Sequence, residues 1–147
     1  MTAGWGMRGA TLGVIGILGI GILAIGISGI GIAEAAENPL ARYRWSARVV
    51  VISAPGPDDA SLIAQRATLA KAGTGLEDRD LVIVEAVGET REAVALRRRL
   101  GLPAGAFRAA LIGKDGGVKR VEAAPFPVQD LYETIDAMPM RRDEMRR

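Results

Sequence analysis

The sequence predicts an α/β fold, a central sheet with helices on both faces in the order βαβαββα. Three observations point there. Val49-Val50-Val51-Ile52-Ser53 and Leu81-Val82-Ile83-Val84-Glu85-Ala86-Val87 are continuous runs rich in β-branched residues. Runs apolar on both faces suit strands buried between layers, as in a parallel or mixed sheet. The segment between them has helical spacing, and Asp115-Gly116 farther on lies between two short apolar runs, a hairpin signal.

Each element has its own local reason. In Asp58 to Lys71, the residues Leu62, Ile63, Arg66, Ala67, Leu69 and Ala70 fall near helical spacing. Asp58 is available as the N-cap, and Gly73 and Gly75 end the helix. Strand, helix, strand at this spacing is a βαβ unit, right-handed by default. Thr90 caps a second helix, Arg91 to Leu100, stopped by Gly101 and Pro103. Phe107 to Ile112 is the third strand. Lys114-Asp115-Gly116-Gly117 turns the chain, and Val118 to Val121 returns antiparallel. Pro127 opens a last helix with Val128, Leu131, Ile135 and Met138 on one face. This is the thioredoxin-like order of elements in a three-layer sandwich.

Residues 1–35 have a different character. Gly9 to Ala33 contains no charged residue, and Arg8 is the only charge before it. A basic start, an apolar run and the small-residue triplet Ala33-Glu34-Ala35 are the parts of a secretory signal, cut after Ala35 or, next best, after Ala36. The alternative is an uncleaved membrane anchor. At about 1.5 Å per residue the stretch as a helix outreaches the roughly 30 Å hydrocarbon core. Its many glycines weaken a helix, which favours cleavage. Either way residues 36–147 are expected outside the cytoplasm, in the periplasm or anchored to the inner membrane facing it, with residues 9–33 as the possible membrane contact. Gly19-Ile20-Gly21-Ile22-Leu23-Ala24 fits a loose dinucleotide pattern, but it lies inside the apolar run without the βαβ context that pattern requires.

Composition excludes much chemistry. The chain has 147 residues with no cysteine and no histidine. Without cysteine there is no disulfide, no thiolate nucleophile and no cysteine-ligated zinc. Without histidine there is no imidazole base and no Ser-His-Asp triad. Thiol redox activity is excluded. The net charge of +2 gives no concentrated basic face, so no nucleic-acid partner is expected. No pattern calls for a cofactor or metal. Glu77, Asp78 and Asp80 are too close together to imitate a calcium loop.

Several strings resemble the domain of unknown function 4174 family. They are Asn38-Pro39-Leu40 with Arg42-Tyr43-Arg44-Trp45, then Gln65-Arg66, then Leu111-Ile112-Gly113-Lys114-Asp115-Gly116-Gly117-Val118-Lys119, and Ile135-Asp136-Ala137-Met138-Pro139-Met140-Arg141-Arg142. The family resembled is the prokaryotic branch of a thioredoxin-like group also found in extracellular sushi-repeat proteins of animals. The resemblance covers essentially all of residues 36–147. It implies a thioredoxin-like fold, distantly similar to peroxiredoxins, in an exported protein. It implies no activity and supplies no catalytic residues.

In such a fold the working surface lies at the carboxyl ends of the central strands. Here that is the loop Ser53 to Asp59. A redox enzyme places its cysteine at this helix start, where the helix dipole lowers the thiol pKa. This chain has Asp58 and Asp59 there. They read as helix caps or as binding groups, and as poor general acids, because a helix N-terminus stabilises the anion. Arg108, at the start of the third strand, stands near where peroxiredoxin-like proteins carry an arginine. It reads as an ordinary strand arginine or as an anion-binding group, and it is the best single functional candidate. Arg97-Arg98-Arg99 reads as a solvated or salt-bridged face, Met138 as packing, and Tyr43 with Trp45 as closing the core edge.

The sequence therefore leads us to expect an exported, cysteine-free module, non-catalytic, that binds an envelope protein or a small anionic ligand. The alternatives are a membrane-tethered structural or stress-associated envelope protein, and a non-redox enzyme using Asp58, Asp59 and Arg108.

Overall fold

A computed structural model describes residues 38–147. The expected signal or anchor at residues 1–35 lies outside the described residues. Among those described, no helix is long and apolar enough to cross a membrane.

The core is a four-stranded mixed sheet. Its strands are β1 (Arg48–Ala54), β2 (Leu81–Val87), β3 (Arg108–Ile112) and β4 (Val118–Glu122). They lie in the order β2-β1-β3-β4, with β1 parallel to β2, and β3 antiparallel to both β1 and β4. The helices are α1 (Ala60–Ala70), α2 (Arg91–Leu100), α3 (Val128–Asp136) and α4 (Pro139–Glu144). The element order expected from the sequence is present, with α4 added.

Strand alternation sorts the core into two layers. Val50, Ile52 and Ala54 of β1 pack with Leu62 and Leu69 of α1 and with Leu131 and Ile135 of α3. Val49 and Val51 pack on the other face with Ala93 and Leu96 of α2 and with Leu40. Every residue of β1 is buried, as its apolar run requires.

β2 differs from the sequence expectation. It is an edge strand, with Ile83 and Glu85 exposed, so its apolar run is covered by helices only in part. The Arg66 guanidinium of α1 reaches Glu85 with two bonds of 2.8 and 2.6 Å. The buried face of α1 is also displaced from the expected one. Leu62, Gln65 and Leu69 turn inward, while Ile63 is exposed.

The cap of α1 is Asp59, not Asp58. Asp59 has extended backbone angles and its carboxylate accepts from the Leu62 N–H at 3.0 Å. Asp58 is exposed one residue outside the cap. Thr90 caps α2 as expected, accepting from Ala93 N–H at 3.1 Å.

The β3–β4 turn closes with a 2.9 Å bond from the Gly116 N–H to the Gly113 carbonyl. Only Gly116 takes a positive φ (82°), so the glycine follows the turn as a bulge residue and Lys114 and Asp115 occupy its centre. The aromatic pair before β1 divides. Tyr43 packs against the core, but Trp45 is 62% exposed and has a positive φ of 66°. Its N–H donates to the Lys114 carbonyl at 2.6 Å, which ties the entry to β1 onto this turn.

Candidate functional site

The sheet has two ends with different chemistry. At the carboxyl end of β1, Ser53 stands opposite Arg108 in the β1–β3 register. Phe107 and Ala109 belong to the layer under α1 and α3, so the alternating Arg108 side chain belongs to the α2 face. Its Nη1 donates back to the Phe107 carbonyl at 2.6 Å. Asp59 is engaged in capping α1, on the opposite layer. The structure therefore brings Arg108 beside Ser53, which is fully buried with its Oγ lacking a protein partner. It joins Arg108 to neither Asp58 nor Asp59 by a hydrogen bond or ion pair among the described residues.

On the same face, the arginine run of α2 divides. Arg98 and Arg99 are exposed, while Arg97 is 3% exposed. It donates to the Ala86 and Gly88 carbonyls at 3.2 and 2.6 Å and pairs with Glu89. These bonds pin the end of β2 to α2, so Arg97 has a structural task.

The opposite end of the sheet holds a cavity of about 230 Å³. Its walls are Arg48, Gly113, Lys114, Asp115, Lys119, Met138, Pro139 and Met140. Arg48 begins β1 and is 1% exposed. A buried guanidinium requires a partnered charge. Glu144 of α4 supplies it with two bonds of 3.1 and 3.2 Å, and the Arg79 carbonyl accepts a third bond at 2.9 Å. Lys114 Nζ joins the same carboxylate at 2.8 Å and Asp80 at 2.7 Å.

Arg141 extends the network. It lies 3.7 Å from Glu144 and donates to Asp136 at 3.2 Å, and Asp136 in turn receives two bonds from Arg79. Four cations (Arg48, Arg79, Lys114, Arg141) thus meet three carboxylates (Asp80, Asp136, Glu144). Burial pushes the Glu144 carboxyl up, but hydrogen bonds from Lys114 and Arg48 outweigh it and the net shift is downward. Asp136 behaves alike, with burial opposed by Arg79 and Arg141. Burial works to lower the Lys114 pKa, and its two carboxylates raise it on balance. The Arg48 Nε, also buried, has no acceptor in the protein.

Sequence reasoning singled out none of Arg48, Lys114 or Glu144. A signal was present. The strings Gly113 to Lys119 and Ile135 to Arg142, which carry most of the family resemblance, are the two that meet around this cavity. Met138 packs under the sheet as expected, while Met145 is exposed. Among the described residues, no group of acidic side chains is arranged to hold a metal ion.

Fold and site together define a small layered α/β domain, without thiol or imidazole, organised at one end around a partly buried ion network. The chain belongs to the DUF4174 family, a domain of unknown function, whose profile matches residues 39–144. Over 136 residues it is 28% identical to coiled-coil domain-containing protein 80 of Danio rerio. That match takes in 74% of this chain but 16% of the relative, so the chain spans a small part of that protein. No solved structure matches the chain.

Proposed function

We propose that the chain is a cysteine-free, thioredoxin-like binding module of the cell envelope, exported by its N-terminal segment and non-catalytic. The strand order β2-β1-β3-β4, with β1 and β2 parallel and β3 and β4 alternating in direction, supports the thioredoxin-like reading. The turn from β1 into α1, where that fold presents its reactive thiol, holds the Asp59 cap instead. The observation that carries the binding role is the cavity at the other end, where Arg48, Lys114 and Lys119 stand with the apolar Met138, Pro139 and Met140 in its walls. Small-ligand sites combine apolar surface with a few placed polar groups in this way.

A second reading rests on Ser53, whose buried, unpartnered hydroxyl faces the layer of Arg108. In that reading a small anion binds at the carboxyl end of β1, with Arg108 as its cation.

A thermal-shift screen of small metabolites, run beside capture of partners from envelope extract, tests the proposal. A stabilising ligand or a specific envelope partner is expected. Its absence from both, or turnover of any screened compound, would sink the reading. Loss of the ligand's effect in Arg108→Ala alone would favour the second site. N-terminal sequencing of protein from its native host tests export: a start at Ala36 or Glu37 is expected for a cleaved signal.

A further inference from the structure

The two edges of the sheet are built differently. β4 has the features that keep an edge from pairing. It is five residues long, three of them charged (Lys119, Arg120 and Glu122), and its register with β3 shifts between Leu111 and Ile112. β2 has none of these. Its seven residues pair with β1 without a break in register, and Glu85 is their single charge. That charge is already matched by Arg66 at 2.6 Å. Among the described residues no further strand pairs with β2.

We infer that the chain forms a homodimer in which the β2 edges of two copies pair antiparallel about a two-fold axis at Val84. Two four-stranded sheets then become one continuous sheet. This goes beyond the binding reading and does not depend on the cavity.

The backbone supplies the first argument. The Arg48 N–H donates to the Asp80 carbonyl at 2.8 Å, and the Gly88 N–H donates to the Ala54 carbonyl at 3.1 Å. In a parallel ladder these two bonds fix the parity of the whole strand. Val82, Val84 and Ala86 turn their backbone groups to β1, while Leu81, Ile83, Glu85 and Val87 turn theirs to the open edge. The Leu81 N–H is taken by the Leu76 carbonyl at 2.9 Å. The N–H and C=O groups of Ile83, Glu85 and Val87 are left open to a second strand.

A second copy fits this edge in one register. With the axis at Val84, Ile83 stands opposite Glu85 of the other copy, and Leu81 opposite Val87. Every residue with outward backbone groups then meets another with outward groups. Val84 meets its own counterpart and Val82 meets Ala86, so the α2 side of the joint is apolar. Moving the axis to Glu85 would set two carboxylates directly against each other, which cross-strand pairing disfavours. Moving it to Ile83 would set Val87 beyond the end of the other strand. On the α1 side, Ile83 is 37% exposed, and Ile63, one helical turn from Arg66, is 54% exposed. Both copies contribute this pair to the same side of the joint. The patch is complementary to itself, as a two-fold interface requires.

The test is sedimentation of the full chain over a range of concentrations, with thermal unfolding to show that each variant is folded. The parent is expected to approach the mass of a dimer as the concentration rises. Ile83→Glu sets like charges against Glu85 of the other copy, twice per dimer, and is expected to weaken association at least about tenfold. Ile83→Lys sets opposite charges there and is expected to leave the dimer at least as tight. The chain has no cysteine, so Val84→Cys has only its own counterpart to join when oxidised with diamide. Facing partners of that kind stand about 4.5 Å apart at Cα, within disulfide reach, and a covalent dimer is expected. Val82→Cys, whose counterpart lies roughly 13 Å away along the ladder, is expected to give none. A parent that stays monomeric at every concentration overturns the inference. So does a dimer that Ile83→Glu leaves unchanged, which would be held elsewhere, residues 9–33 included, or one that Ile83→Lys breaks equally. If Ile83→Glu does not fold, the cysteine variants decide: equal cross-linking of both, or of neither, overturns it.

Discussion

Gln65 and Phe126 exchange two hydrogen bonds in the interior of the domain. The side-chain Nε2 donates to the Phe126 carbonyl at 3.2 Å, and the Phe126 N–H donates to Oε1 at 2.6 Å. Gln65 is fully buried on α1, and Phe126 lies just before α3. The amide imitates a strand neighbour for one backbone residue, so the chain leading into α3 can cross the core with its polar groups satisfied. Gln65→Leu keeps the volume and removes both bonds. It is expected to cost about 1–3 kcal/mol, the usual penalty for buried groups left unpaired. Urea unfolding checks this, and an unchanged midpoint would show that the two bonds contribute nothing net to stability.

Asp58 and Asp59 are adjacent and chemically alike, yet only Asp59 caps α1. Asp59→Ala is expected to lower stability by about 1 kcal/mol. Asp58→Ala, at an exposed site, is expected to stay within about 0.5 kcal/mol of the parent. Thermal unfolding of the two variants side by side separates them, and equal losses would mean that the cap is shared.

Glu144 makes the amino end of the sheet sensitive to acid. Its pKa is lowered in the folded state, as are those of Asp136 and Asp115. A lowered folded pKa means that the unfolded chain takes up protons first as the pH falls. The stabilisation is therefore complete above the ordinary carboxylate range and is lost as the pH drops through the folded values. Hydrogen exchange of α4 is expected to accelerate over that window before the amides of β1 and β3 respond. Glu144→Gln should remove much of this acid response and, at neutral pH, cost roughly 2 kcal/mol. That figure is discounted from the about 3–5 kcal/mol of a fully buried pair, because Glu144 keeps some contact with water.

Gly75 is required for packing against Tyr132. A Cβ at position 75 would overlap the Tyr132 hydroxyl and ring. The ring is held there by Arg79, 4.0 Å over its face, and by a 3.0 Å bond from its hydroxyl to the Ala72 carbonyl. Gly75→Ala is expected to cost about 1–3 kcal/mol through overpacking. Pairing it with Tyr132→Ala should restore room, so the two changes should cost less together than their sum in unfolding experiments.

What was legible in the sequence followed from local rules. The uninterrupted apolar run of β1, the Thr90 cap and the Asp115-Gly116 turn each depend on a few neighbouring residues, and each is present. The choice between Asp58 and Asp59 depends on one backbone angle, which composition does not encode. β2 looked like a central strand because its residues are apolar, whereas its place at the edge is decided by which strands pair. The cavity was least legible. No residue near Arg48 in the chain marks it as buried, and its partner lies 96 residues away. Arg97 hid for a similar reason, since a run of three arginines looks solvated until the carbonyls that one of them caps are known.

The tie between Arg48 and Glu144 also bears on the order in which the domain can be completed. Contacts that close long stretches of chain form late, because the entropy of closure must be met before they contribute. β1 can pair and bury its apolar residues early, but its first side chain carries a charge that stays uncompensated until residue 144 has been made and brought back across the sheet. A chain in which α4 has not yet docked holds a nearly finished core with an open, positively charged end, and docking of α4 closes it.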